Sequence, residues 1–226
     1  MADDPLLFAF EFTPEGGAKR LSWQDIVSGP AERPGVRRWL HLNRLSPDVR
    51  TWLTGTSGID PLIDRSLLQE DTRPRAAKQG NGMLINLRGV NLNEGSQPED
   101  MIAIRMWMTD SVVVSLRAFR IKAAEDLRDA IMAGEVPDSN GAIIAYIAAR
   151  LTDRIEPVVA ELDARSDDFE DELLEPGATL PKTALADFRR KVLAIRRYII
   201  PQREALSQLA REGESLFSHN EILHLR

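Results

Sequence analysis

Three histidines, one acidic stretch and one pair of arginines are the side chains of this sequence with chemistry to offer. His219 and His224 stand five apart in SHNEILHLR, a segment that reads as a helix with Ser218 as its N-cap. A step of five turns two side chains away from each other, whereas a step of four lets them share a face. One helix does not chelate an ion with both. Two copies about a symmetry axis could, which makes the pair candidate metal ligands. His41 lies between Leu40 and Leu42 in VRRWLHL. Strand alternation turns its ring off the apolar face, so a solvated surface histidine is expected. The run ELDARSDDFEDELLE holds Glu161, Asp163, Asp167, Asp168, Glu170, Asp171, Glu172 and Glu175. Oxygen donors without sulfur suit hard cations such as magnesium and do not exclude weak zinc binding. Arg189, Arg190 and Lys191 are expected opposite this run, in solvated ion pairs worth about 0–1 kcal/mol each. Arg73 and Arg75 flank Pro74 and read as a turn with solvated charges.

Covalent chemistry finds little support. The sequence has no Gly-rich phosphate loop, no Gly-x-Ser-x-Gly elbow and no His-Glu-x-x-His. With no cysteine there is no disulfide framework and no thiolate metal site. The net charge of −6 argues against nucleic acid as a partner. No apolar run approaches the roughly 18 residues that span a bilayer, and MADDPLL lacks the basic region of a secretory leader. A soluble polypeptide is expected, with a hydrophobic content of 43% that permits a proper core.

The elements that position these groups follow from periodicity. Leu6, Phe8, Phe10 and Phe12 alternate and predict a strand; VRRWLHL predicts a second. Ser22 starts a short helix over 23–27, and Ser46-Pro47 and Asp60-Pro61 start two more. Residues 76–79, 83–90, 101–108 and 111–116 predict strands, the last three an antiparallel meander, with Asn81-Gly82 as a hairpin turn. An amphipathic helix over 121–133 ends at Gly134. Two long apolar seams follow. One runs through Ile144, Ile147, Leu151, Ile155, Val158, Leu162, Phe169 and Leu173. The other runs through Leu185, Phe188, Val192, Ile195, Ile199, Leu206 and Leu209, broken only at Gln202. Three- and four-residue steps mark helices packed along each other, and EPGATLP between them predicts an antiparallel hairpin. Pro157 and Pro201 fall at similar heights on its two arms. Ile222, Leu223 and Leu225 have no stop signal after them, so the sequence is expected to be a piece of a longer chain.

The order PLIDRSLLQEDTRPRAAKQGNGMLINLRGVNLN, then MIAIRMWMTDSVVVSLR, then LAIRR running into PQREAL resembles the cytoplasmic domain of CorA-type divalent-cation transporters. WLHL and the Arg-Arg-Tyr-x-x-Pro-Gln-Arg form are closer to the ZntB zinc-transporter branch. The resemblance covers nearly the whole chain and rests on the order of its parts. It implies an α+β or α/β architecture: an α/β/α layered N-terminal domain with a mixed, partly antiparallel sheet (residues 1–137), then a long antiparallel helical hairpin (138–212). A stalk helix would begin at 218–226, truncated before the transmembrane segments. It implies a homopentamer on the cytoplasmic face of a bacterial inner membrane, touching the membrane only through segments absent here, with Zn2+ or Mg2+ as the transported or regulatory ion. No organic cofactor is expected. The family's Gly-Met-Asn pore signature is absent. Magnesium-type relatives carry a metal-binding acid in the turn after the central strand. The matching stretch here is Asn91-Leu92-Asn93-Glu94, with Asn93 in the acid's place and Glu94 beside it as the candidate ligand.

The expected function is therefore the cytosolic funnel of a zinc-type transporter, concentrating cations and coupling to the membrane pore, without enzymatic activity. Two rivals are a metal-dependent phosphoesterase-like α/β enzyme, which needs clustered acids or histidines in a cleft, and a coiled-coil partner-binding module, which needs an exposed hairpin seam.

Overall fold

Alternation along β1 (Leu6–Phe12) and β3 (Arg37–Asn43) divides their side chains between two cores, because the sheet they join is covered on both faces. The computed structural model describes residues 4–174 and 181–225. Its sheet has seven strands, adding β2 (Ala18–Arg20), β4 (Arg75–Gln79), β5 (Gly82–Gly89), β6 (Ile102–Met108) and β7 (Val112–Arg117). Their order is β2-β1-β3-β7-β6-β5-β4. β3 and β7 pair in parallel, and every other neighbour is antiparallel. The expected meander is β5-β6-β7.

One face, through Leu40, Leu42, Leu84, Trp107 and Val114, packs under α1 (Trp23–Val27), α2 (Pro47–Gly55) and α3 (Pro61–Leu68). The other, through Phe10, Trp39, Ile85, Ile104 and Met106, packs under α4 (Lys122–Met132) and the first half of α5 (Asn140–Leu174). The C-terminal end of α6 (Lys182–Glu212) and α7 (His219–His224) complete that layer. The result is the mixed-sheet α/β/α arrangement with long helices. Ser22 and Ser218 cap their helices through capping boxes.

The two arms run antiparallel. Phe169 meets Phe188 edge-on at 5.3 Å, and Ile155 shares a small core with Ile195, Val90 and Met101. Pro157 and Pro201 both lie inside continuous helix. Most of the anticipated turn, Glu175 to Leu180, lies outside the described residues. No helix among the described residues is long and apolar enough to cross a membrane.

Three local expectations are overturned. The β4–β5 turn is Gly80-Asn81, one residue earlier than anticipated, with Gly80 at φ +56°. Gly82 is glycine for another reason: a Cβ there would lie 2.5 Å from the Met108 carbonyl and 2.6 Å from the Trp107 ring. Arg75 opens β4 and is not part of a turn. His41 is fully buried. Its strand lies between β1 and β7 with helices on both sides, so neither face is solvated.

The His41 ring stacks on Phe8 at 4.6 Å, and its Nδ1 lies 2.8 Å from Ser115 Oγ. That hydroxyl also accepts from Trp39 Nε1 at 2.9 Å. Burial pushes the imidazole well below its usual 6.5, and the charges of Arg117 and Arg128 push the same way. A base depressed in the folded state contributes stability above its unfolded pKa, and that stability is lost as pH falls below it. The chain is expected to lose up to about 1.4 kcal/mol per pH unit from this group once below pH 6.5. Urea unfolding of wild type and His41→Phe at several pH values checks this; equal acid slopes for the two proteins would refute it.

Candidate functional site

Gln202, the break in the α6 seam, is where the hairpin grips the sheet. β4 pairs with β5 only from Gly82 to Asn86, so the main chain of Arg88 has no strand beyond it on that side. The Gln202 amide takes the missing place. Arg88 N–H donates to Gln202 Oε1 at 2.6 Å, and Gln202 Nε2 donates to the Arg88 carbonyl at 2.9 Å. One turn earlier, the Tyr198 ring lies 4.0 Å from the Arg88 guanidinium, in cation–π contact. Thus the Tyr-x-x-Pro-Gln spacing places a ring and an amide on one strand residue.

The same guanidinium reaches outward. Arg88 donates to the carbonyls of Thr72 and Met101. Arg105 donates to the Glu70 carbonyl at 2.8 Å, and Arg44 to that of Leu68 at 3.2 Å. Three arginines therefore hold alternate carbonyls from the last residue of α3 onward, those of Leu68, Glu70 and Thr72. Burial lowers all three, and Arg105, further lowered by Arg44 and Arg88, falls to about 10. Each remains charged at neutral pH. Arg88 is the junction that ties α6, the start of β6 and this segment together.

A second joint holds α7. Ser139 caps α5 by accepting from Ala142 N–H, and its hydroxyl donates to Glu221. Glu221 also accepts from Ser218 N–H at 2.6 Å, so one carboxylate spans the starts of both helices. Gly141 permits the approach: a Cβ there would lie 2.6 Å from Glu221 Oε2 and 2.8 Å from the Leu216 carbonyl.

The candidate metal ligands are dispersed. Glu94 is exposed in the loop after β5, and His219 and His224 are exposed on α7. Among the described residues no three His, Cys, Asp or Glu side chains are grouped to hold a metal ion, so these three do not form one site within the chain. Asn93 braces its loop, its amide donating to Asn91 Oδ1 and the Arg120 carbonyl. Among the described residues the basic triplet of α6 makes no ion pair with the acidic run. Arg190 pairs with Asp187 on its own helix, and Lys191 points to the buried Glu99, 3.9 Å away. Arg165, on the acidic arm itself, pairs with Asp168 and Glu172.

The sequence pattern of the family described as CorA-like Mg2+ transporter protein matches residues 35–226. Over 208 residues the chain is 32% identical to the zinc transport protein ZntB of Pectobacterium carotovorum, covering 92% of this chain and 61% of that protein. Over 215 residues it is 35% identical to the divalent cation transporter CmaX of Pseudomonas aeruginosa, covering 94% and 64% respectively. The chain thus spans less than two thirds of the length of these relatives. Its fold matches that of full-length CmaX with a TM-score of 0.86 at 32% identity, over 99% of this chain and 68% of that one. It matches the ZntB cytoplasmic domain of Vibrio parahaemolyticus with a TM-score of 0.78 at 22% identity, over 98% and 89%, a likeness of fold. With a family pattern matched from residue 35 to residue 226 and a shared architecture, the chain belongs to the CorA-like Mg2+ transporter family.

Proposed function

We propose that this chain is the cytosolic part of a homopentameric divalent-cation transporter of the zinc type, at the cytoplasmic face of a bacterial inner membrane. The observation that carries the reading is the 32% identity to a zinc transport protein along 92% of the chain. In this reading residues 1–137 form the head, 138–212 the hairpin, and 218–226 the beginning of a stalk that leads to the pore. A net charge of −6 per copy gives five copies a strongly negative field, which raises the local cation concentration. The chain's own task is then binding and mechanical coupling, with no covalent step. The joints at Arg88 and Glu221 connect sheet, hairpin and α7. Zn2+ or Mg2+ is the cargo or regulator. Glu94, His219 and His224 are candidate ligands whose site would be completed by a neighbouring copy.

Expression of the natural gene that contains this sequence, in cells depleted of their own zinc and magnesium importers, tests the reading. Cellular zinc is expected to rise, measured by mass spectrometry at matched protein levels. A membrane-inserted product that raises neither metal would sink the proposal, and a rise in magnesium alone would remove the zinc assignment.

A further inference from the structure

α3 breaks its own apolar pattern at one position. Its buried residues are Ile63, Asp64, Leu67 and Leu68, so an acid occupies a place in the inward stripe. Asp64 is buried, yet its Oδ1 has no hydrogen-bond partner, and no ion pair reaches the carboxylate among the described residues. The charge that acts on it is that of Asp60, of the same sign. Asp60 itself has a structural task, capping the helix by accepting from Leu62 N–H at 2.7 Å. Asp64 has none. A buried carboxylate without a partner costs stability, and a local rule broken without compensation marks a place where function is served.

Asp64 lines an open cleft of about 670 Å³ between α2 and α3, a volume within the range of small-molecule sites. Arg50 of α2 and Arg65 of α3 share its walls. Both are exposed, and neither guanidinium has an ion-pair or ring partner among the described residues. Glu70 stands at the end of the lining, where its charge acts on Arg44. One cleft therefore holds a desolvated anion and two cations that do not meet it.

This pattern selects by charge. A bare metal ion needs several oxygen ligands, and here two arginines would repel it. A polyamine meets the same repulsion. A simple anion suits the arginines but faces Asp64. A molecule with an ammonium group at one end and a carboxylate at the other satisfies every charge. Its ammonium donates to Asp64, and its carboxylate accepts from the planar guanidinium forks.

We propose that this cleft binds a small zwitterion of the amino-acid class, with Asp64 holding the ammonium group and Arg50 and Arg65 the carboxylate. The site uses none of the candidate metal ligands and does not depend on the transport reading. Asp64 must be ionised to take the ammonium group, and burial raises its carboxyl to about 6. Asp60, Glu70, Arg50 and Arg65 are the other charges around it, with Arg44 behind, bound to the Leu68 carbonyl. Affinity is expected to fall as pH drops through about 6.

NMR titration of the 226-residue chain with glycine, γ-aminobutyrate and ε-aminocaproate tests this, the series varying the separation of the two charges. Methylammonium and acetate, the two halves, are the controls. At least one amino acid is expected to shift the amides of α2 and α3 and to bind about tenfold more tightly than either half. Asp64→Asn, which urea unfolding will show to be folded, is expected to weaken that binding roughly thirtyfold and to abolish its pH dependence. Arg50→Ala/Arg65→Ala is expected to weaken it about tenfold. The proposal is overturned if none of the three amino acids binds, if methylammonium binds equally well, or if Asp64→Asn leaves binding unchanged. Zinc or magnesium binding at α2 and α3 that Asp64→Asn abolishes would make the cleft a metal site and overturn it too. Metal uptake by the whole protein, which tests the transport reading, is untouched by any of these outcomes.

Discussion

Replacing Gln202 with leucine is expected to lower the unfolding free energy by about 3 kcal/mol, although leucine is more apolar and at least as good a helix former. Gln202 is buried, and its amide supplies both partners of the Arg88 main chain at the point where β4 has ended. Leucine fills the space and leaves a buried N–H and a buried C=O without partners, each costing about 1–3 kcal/mol. Glutamate at this position keeps an acceptor for the N–H, presents a second acceptor to the C=O, and buries a charge, so it should do no better. Denaturant titration gives the energy. Amide exchange at Arg88 gives the location, because that proton is expected to become far more accessible in the variant. An unchanged denaturation midpoint together with a protected Arg88 amide would show that the amide pairing contributes little.

Asp64→Asn is expected to stabilise the chain by about 2 kcal/mol near neutral pH. Asp64 is 3% exposed, and its Oδ1 has no hydrogen-bond partner. Burial, with the nearby Asp60 charge as a second cause, raises its carboxyl from 3.8 to about 6. The sign follows from the order of proton loss. As pH rises past 3.8 the unfolded chain ionises, while the folded chain holds its proton until about 6. Stability therefore declines across that window and stays low above it. Asparagine is nearly isosteric and carries no charge, so its advantage should be present near pH 7 and fade below about pH 4. Urea midpoints of both proteins across this range decide it; an equal or lower midpoint for the variant at neutral pH contradicts the assignment. The slope is opposite to that of His41, so the two groups oppose each other in the wild-type profile where they overlap. The single variants are needed to separate the groups.

The strands and caps were legible because they depend on neighbours in sequence. The alternation of Leu6, Phe8, Phe10 and Phe12 and the N-caps Ser22 and Ser218 need no knowledge of the rest of the chain. His41 was misjudged because alternation reports polarity only for a strand with one solvated face, and nothing local says that β3 is covered on both. Gln202 was visible as an anomaly in a seam. Its purpose depends on where β4 stops, more than a hundred residues away in the chain. Gly82 read as a turn residue, although its lack of a side chain serves the Trp107 ring across the sheet. The charged arms were legible as charges but not as partners. A surface ion pair contributes too little to set the rotation of a helix that Ile155, Phe169 and Ile195 already fix by burial. The dispersed candidates Glu94, His219 and His224 show the same limit, since residue type alone carries no position.

The parallel pairing at the centre of the sheet bears on how the chain is made. Arg38 to Asn43 find their neighbours at Val112 to Arg117, some seventy residues downstream. A ribosome releases β1 and β3 long before β7 exists. Until then Phe8, Phe10 and Trp39 have no lower layer to enter, and the emerging strands present an open hydrogen-bonding rim to other nascent chains. Closure of so distant a pair slows the first productive collapse relative to a helical protein of equal length. The half-made sheet is thus the stage of synthesis most open to association with other chains, and slowing translation just before β7 would lengthen that exposure.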